Sequence, residues 1–229
     1  RAQRFMGGKH PIELSASLTR SIRERSQERR VTPFMTLLAT FKVLLARYSG
    51  LEDIVVGSPI AGRNRSEIDG LIGFFVNMLV LRTDLGGNPT FLEVLGRVRE
   101  TSLDAYANQD MPCDKLVEEL QPDRDLSRPL VQVAFALQNL PIDFLEIPGL
   151  GLELVEAPTG MAKCDLSVVM WEIDDHLSGV FEYDSDLFDH ATIVRMAGHF
   201  QTLLEAIVVS PEQRISELPL FDSAEKSRL

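Results

Sequence analysis

A chain of 229 residues, 45% of them hydrophobic, holds enough apolar material for one large packed domain, and its glycines and prolines are scattered rather than massed into low-complexity tracts. Its net charge of -11 repels a phosphate backbone and removes nucleic acid from the expected partners. No apolar run approaches the ~20 residues of a membrane helix, the first residues lack the plan of a signal peptide, and Cys113 and Cys164 are too few for a disulfide scaffold. The expected state is soluble and cytoplasmic, with reduced thiols. The chain opens on Arg1 rather than Met, which reads as a piece of something longer.

In chain order, "SASLTRSIRERSQERR" predicts a helix with Leu18 and Ile22 on its apolar edge and a basic opposite side. "VTPFMTLLATFKVLLARYSG" predicts a second, with apolar residues at 34, 37, 38, 41, 44, 45 and 48 on one buried face, Thr32 as cap, Pro33 in the first turn and Gly50 at the end. "DIVVGSPIAG" reads as a buried strand stopped by Gly and Pro, and "FFVNMLVLR" as another. "TFLEVLGRVRETSLDAYANQ" predicts a helix whose Thr90 and Glu93 have capping-box spacing.

In "VQVAFALQN", Val131, Val133, Phe135 and Leu137 alternate with Gln132, Ala134, Ala136 and Gln138, the period of a strand with one greasy and one mixed face. "GLELVE", "DLSVVMWEI" and "HLSGVFEYDSDLF" predict three more strands, the last two joined through Asp174, Asp175 and His176. A helix follows Asp189, with Ile193, Met196, Ala197, Phe200, Leu203 and Ile207 on one face. This order predicts a mixed sheet covered by helices, an α/β chain of the α+β sandwich kind. The tail "RISELPLFDSAEKSRL" is polar and proline-punctuated, as linkers are.

Reactive groups are sparse. A triad needs a base with a partner and a pocket, and His10, His176, His190 and His199 each read as surface or capping residues. "GSPIAGRNRSEIDGLIG" has neither the Lys-Ser/Thr ending of a phosphate loop nor Rossmann spacing. Clustered metal ligands are missing, and a nucleophilic Cys113 would need a base that the sequence does not supply. Motif chemistry alone describes a domain without a catalytic centre of its own.

Three ordered stretches carry more: "IGFFVNMLVLR" at 72–82, "NQDMPCDKLVEEL" at 108–120 and "RDLSRPL" at 124–130. With "SPIAGRNRSEIDGLIG" before them and "VQVAFALQNLP" and "EYDSDLFD" after, they resemble the later motifs of condensation domains of nonribosomal peptide synthetases, over the chain from about Gly8 onward. The resemblance implies a chloramphenicol-acetyltransferase-like lobe, the C-terminal one of two, at 1–215, and a connector toward an adenylation domain at 216–229. The family's catalytic histidine belongs to an HHxxxDG motif in the first lobe, and this chain has no His-His pair, so it is expected to be inactive alone. The implied reaction joins an upstream acyl or peptidyl thioester to the amine of a downstream aminoacyl thioester. Both are carried on phosphopantetheine arms of carrier proteins, with no cofactor bound directly. The competing expectation is a naturally truncated lobe kept as a docking or spacer module; a coenzyme A-dependent acyltransferase is a third, against which the linker-like tail argues.

Residue roles follow from the same resemblance. Arg63, in "PIAGR", matches an arginine that pairs across the lobes with the aspartate of HHxxxDG. Asn77, Gln138 and Asn139 are candidates for the substrate tunnel or for local satisfaction, while Gln109, Asp110, Arg124, Asp125 and Arg128 line the tunnel or staple loops, the structural role being preferred. Cys113 and Cys164 stand where the family usually has aromatic residues, which implies altered packing rather than thiol catalysis. Arg20, Arg23, Arg25, Arg29 and Arg30 offer an acidic carrier protein a local basic patch, or are an ordinary solvated helix face. An exposed apolar face is expected where the first lobe packs, and a second copy of the chain is the other candidate to cover it.

Overall fold

The computed structural model describes residues 6–63, 66–120, 129–138, 160–173 and 175–221. Among these residues six strands, β1 (Gly7–Glu13), β2 (Asp53–Ile60), β3 (Asn77–Asp84), β4 (Val133–Gln138), β5 (Leu166–Ile173) and β6 (His176–Asp184), form one sheet in the order β1-β6-β5-β4-β2-β3. β4 runs parallel to both β2 and β5, and the other neighbours are antiparallel. The sheet is therefore mixed, as expected. The strand expected in "GLELVE" and the turn residue Asp174 lie outside the described residues.

The helices are α1 (Ala16–Glu28), α2 (Pro33–Ser49), the single turn α3 (Ser66–Asp69), α4 (Phe91–Ala107), α5 (Cys113–Leu120) and α6 (His190–Val209). Their ends are written in local chemistry. Thr32 accepts from Met35 N–H at the start of α2, and Gly50 closes that helix at φ 72°, the left-handed region that glycine enters without steric cost. Thr90 and Glu93 form the expected capping box on α4.

Alternate strand residues face the helices and meet them in one core, where Phe41 of α2 lies 5.6 Å from Phe135 of β4 and edge-on to Phe181 of β6 and Phe200 of α6. All four rings are fully buried. The opposite face of β4 is also covered: Ala134 and Ala136 are buried, where the alternation predicted a mixed face.

Two sequence expectations give way. The apolar run "FFVNMLVLR" begins as loop, and pairing starts only at Asn77, because Phe75 lies under the Arg63 guanidinium at 4.5 Å while Phe74 points outward, 88% exposed. His199 is a core residue rather than a surface one: it is 5% exposed, its Nδ1 sits 2.7 Å from Tyr48 Oη, and Phe221 packs edge-on against its ring. Leu218, in the stretch expected as linker, is buried together with Ile215, and Arg47 donates to both of their carbonyls at 3.2 and 2.8 Å.

Candidate functional site

Strand register brings several of the candidate residues to one end of the sheet. Ile60, the last residue of β2, pairs with Asn77, the first of β3, and Gln138 ends β4 opposite Trp171 of β5. Because β2 and β4 are parallel, with Gly57 beside Ala134, the loop carrying Arg63, the start of β3 and the exposed Gln138 share that end.

Arg63 organises its own loop. Its guanidinium donates to the carbonyls of Ile68 at 2.6 Å, Leu71 at 2.8 Å and Gly73 at 3.5 Å, and it stacks on Phe75. Gly62 just before it has φ 66°, and a Cβ there would stand 1.9 Å from the Phe75 carbonyl oxygen, so only glycine permits this turn.

Asn77 ties the start of β3 to the turn between α4 and α5. Its Nδ2 donates to the carbonyls of Gln109 at 2.9 Å and Met111 at 2.8 Å, and its Oδ1 accepts from Met78 N–H at 2.9 Å and Cys113 N–H at 3.1 Å. Asn77 is thus satisfied by backbone groups of the chain while it also borders a cleft. Gly62, Phe74, Phe75, Val76, Asn77, Gln109, Asp110 and Pro112 together line a cleft of about 260 Å³. The structure thus brings Asn77, Gln109 and Asp110 to the Arg63 loop. Arg124, Asp125, Arg128 and Asn139 lie outside the described residues.

Around the cleft the surface is apolar: Leu71 is 52% exposed, Ile72 106%, Val76 48% and Met111 55%. A larger hollow of about 540 Å³ opens at the opposite end of the strands between Leu45, Ile54, Leu166 and Met196; Leu130, Gln132, Val133 and Phe188 of the motif stretches line it, but none of the candidate site residues does.

Thiol chemistry is not prepared. Burial pushes the Cys113 thiol up, with Asp114 adding to it, and Cys164 rises through burial and the neighbouring Asp165. Both stay protonated and weakly nucleophilic. His10 is lowered by burial and by His190, whose ring meets it edge-on at 5.6 Å while accepting or donating at Tyr183 Oη, 3.0 Å away. This pair sits where β1 meets α6, among structural contacts. The basic side of α1 is partly neutralised within the chain: Arg23 pairs with Glu172 and Asp175, and Arg25 with Glu28.

One functional-looking group escaped the sequence reading. Lys42, on the buried face of α2, is 0% exposed, and its Nζ donates to the Leu81 carbonyl at 2.6 Å, Thr83 Oγ1 at 2.8 Å and the Ile54 carbonyl at 3.4 Å. Burial lowers it to about 7 against the pull of Asp53. It is caged by β2 and β3 backbone, away from the cleft, so it acts on stability. A lone Lys within an apolar helical face was the available signal.

A family model described as "Condensation domain" matches residues 1–229. A component of the linear gramicidin synthase of Brevibacillus parabrevis is 51% identical over 97% of this chain, which spans 4% of that protein. The crystal structure of the X-domain from teicoplanin biosynthesis superposes with a TM-score of 0.86 at 28% identity, over 96% of this chain and 52% of the other. A four-domain nonribosomal peptide synthetase bound to AMP and glycine shares the fold, with a TM-score of 0.89 at 24% identity over 98% of this chain and 18% of its own. The chain thus spans about half of one solved relative and a small part of the curated one, and within that span it belongs to the condensation-domain family.

Proposed function

We propose that the chain is the C-terminal half of a condensation domain of a nonribosomal peptide synthetase, shaping one wall of a two-sided site for amide-bond formation between carrier-bound thioesters. The observation that carries this is the convergence of Asn77, Gln109, Asp110 and, through Gly62, the Arg63 loop on one cleft, at a sheet end ringed by exposed Leu71, Ile72, Phe74 and Met111. Apolar side chains at that density are costly to leave in water, and a preceding half-domain covers them. The cleft sets the rings of Phe74 and Phe75 beside Gln109 and Asp110, an apolar wall with polar groups that suits the alternating methylenes and amides of the pantetheine part of a carrier's arm.

The chemistry asks little of this half beyond geometry. A neutral amine is already a good nucleophile toward a thioester, so the domain's work is to align two tethered substrates and manage one proton. Arg63, held by three carbonyls and Phe75, presents a fixed cation to an aspartate of the preceding half, a charge-assisted contact that shapes the opposing loop. Upstream and downstream carrier proteins and an adjoining adenylation domain are the partners this role requires.

The test restores the preceding half in cis, supplies both carriers loaded with thioesters, and follows the amide product by mass spectrometry. The joined domain should condense, this chain alone should not, and Arg63→Ala should slow the joined domain by about 10²-fold or more, the scale of a lost positioning contact. A joined domain that binds loaded carriers yet never forms amide would instead make this chain a docking or spacer module.

A further inference from the structure

Asn77 spends its whole hydrogen-bonding capacity on one task. A carboxamide offers two donors and two acceptor sites, and here both donors reach the Gln109 and Met111 carbonyls while Oδ1 receives Met78 and Cys113 N–H. The two carbonyls and two N–H groups also leave one orientation of the amide possible. Three of the four partners belong to the turn 109–113, more than thirty positions away in sequence.

Within its own segment the turn is tied to the end of α4 by Gln109 N–H to the Tyr106 carbonyl at 3.4 Å and Met111 N–H to the Asn108 carbonyl at 3.0 Å, and Asn77 ties it to β3. α5, which it leads into, buries none of its residues completely. Beneath the helix lies a mostly apolar hollow of about 360 Å³ bounded by Met78 and Val80 of β3, Ala105 of α4, and Met111, Cys113 and Leu116. A helix set over a hollow gains less packing energy than one seated on a filled core. The polar staple adds a direction that this packing does not supply.

We infer that Asn77 is a positioning residue: it locks the turn 109–113 to the start of β3 and so sets Gln109 and Asp110 across the cleft from the Arg63 loop. This assignment rests on the condensation reading for its functional consequence, though not for its structural one. Asn77 reaches the site through the turn, not by touching the reacting atoms.

The experiment uses the full condensation domain, with Asn77→Asp and Asn77→Ala. Aspartate keeps an acceptor for Met78 and Cys113 N–H but loses both donors and sets a carboxylate against two carbonyls; alanine removes all four contacts. Hydrogen exchange followed by mass spectrometry should show amides of 109–113 opening about tenfold faster or more in Asn77→Asp, the increase reaching through α5 in Asn77→Ala, while α2 and α4 keep their protection. With a soluble aminoacyl-pantetheine as acceptor, KM should rise severalfold in both variants, which a simple loss of folded enzyme would not produce.

Unchanged exchange over 109–120 overturns the inference, as does a rise spread equally over α4. Faster exchange with an unchanged KM also overturns it, since the turn would then place nothing the substrate meets. A domain that makes no amide even with Asn77 intact would sink the condensation reading instead, and the exchange data would still decide whether Asn77 holds the turn.

Discussion

Replacing Lys42 by methionine separates the effect of a buried charge from that of packing. In the folded chain burial drops this amine from its ordinary 10.5 to about 7, whereas unfolding returns it to water. Between those values the unfolded chain holds the extra proton, so stability must rise with pH through that window and be lowest below about 7, where the ammonium is buried charged. At about 1.4 kcal/mol for each pH unit, the ceiling is roughly 5 kcal/mol, and about 2 kcal/mol of it should develop between pH 7 and pH 9. Guanidinium unfolding of both proteins at the two pH values measures it, because titrations common to both cancel in the difference. Methionine also strands the Leu81 carbonyl and Thr83 hydroxyl, but that cost is independent of pH and offsets the curves without changing their separation. A difference between the proteins that is equal at pH 7 and pH 9 would refute the reasoning and show that the cage of carbonyls keeps Lys42 charged throughout.

Two further substitutions probe the core and the cleft. Phe41→Ala removes the ring shared by Phe135, Phe181 and Phe200 and should cost about 3 to 5 kcal/mol in urea unfolding; a loss under about 1 kcal/mol would mean that the four rings do not pack as a unit. Gly62→Ala places a methyl against the Phe75 carbonyl at a left-handed φ and should cost on the order of 1 to 3 kcal/mol, released chiefly in its own loop. Limited proteolysis should then cut within 61–76 first, and resistance equal to that of the parent chain would show that the loop adapts.

What the sequence made readable was local. The ends of α2 and α4 depend on Thr32, Gly50, Thr90 and Glu93, whose partners lie within four residues, so spacing alone located them. The features missed are those whose partners are distant. Lys42 finds its acceptors 39 and 41 positions away on β3, so in sequence it is one cation interrupting a helical face. Asn77 was visible as a polar break in an apolar run, but its partners, 32 to 36 positions on, were not. "FFVNM" misled in the other direction: apolar pattern reports desolvation without saying by what, and Phe74 is left outward by this chain. His199 hid similarly, since only the fold brings Tyr48 to it across 151 positions.

The placement of polar groups shows how the chain divides its work. On the helix-facing side of the sheet, packed rings supply stability, and Lys42 makes part of it dependent on pH. Among the described residues at the cleft end, Ile72 and Phe74 are exposed, α5 buries no residue completely, and two polar side chains help to keep the shape, Arg63 with three carbonyls and Asn77 with four backbone partners. Hydrogen bonds fix direction where hydrophobic contacts fix only proximity. The proposed role, meeting another half-domain and two mobile arms, needs loops aimed before those partners arrive, and polar staples do this without filling the space between them. Core and cleft substitutions should therefore separate cleanly, Phe41→Ala lowering stability throughout and Asn77→Asp loosening one turn, because the two regions are built on different forces.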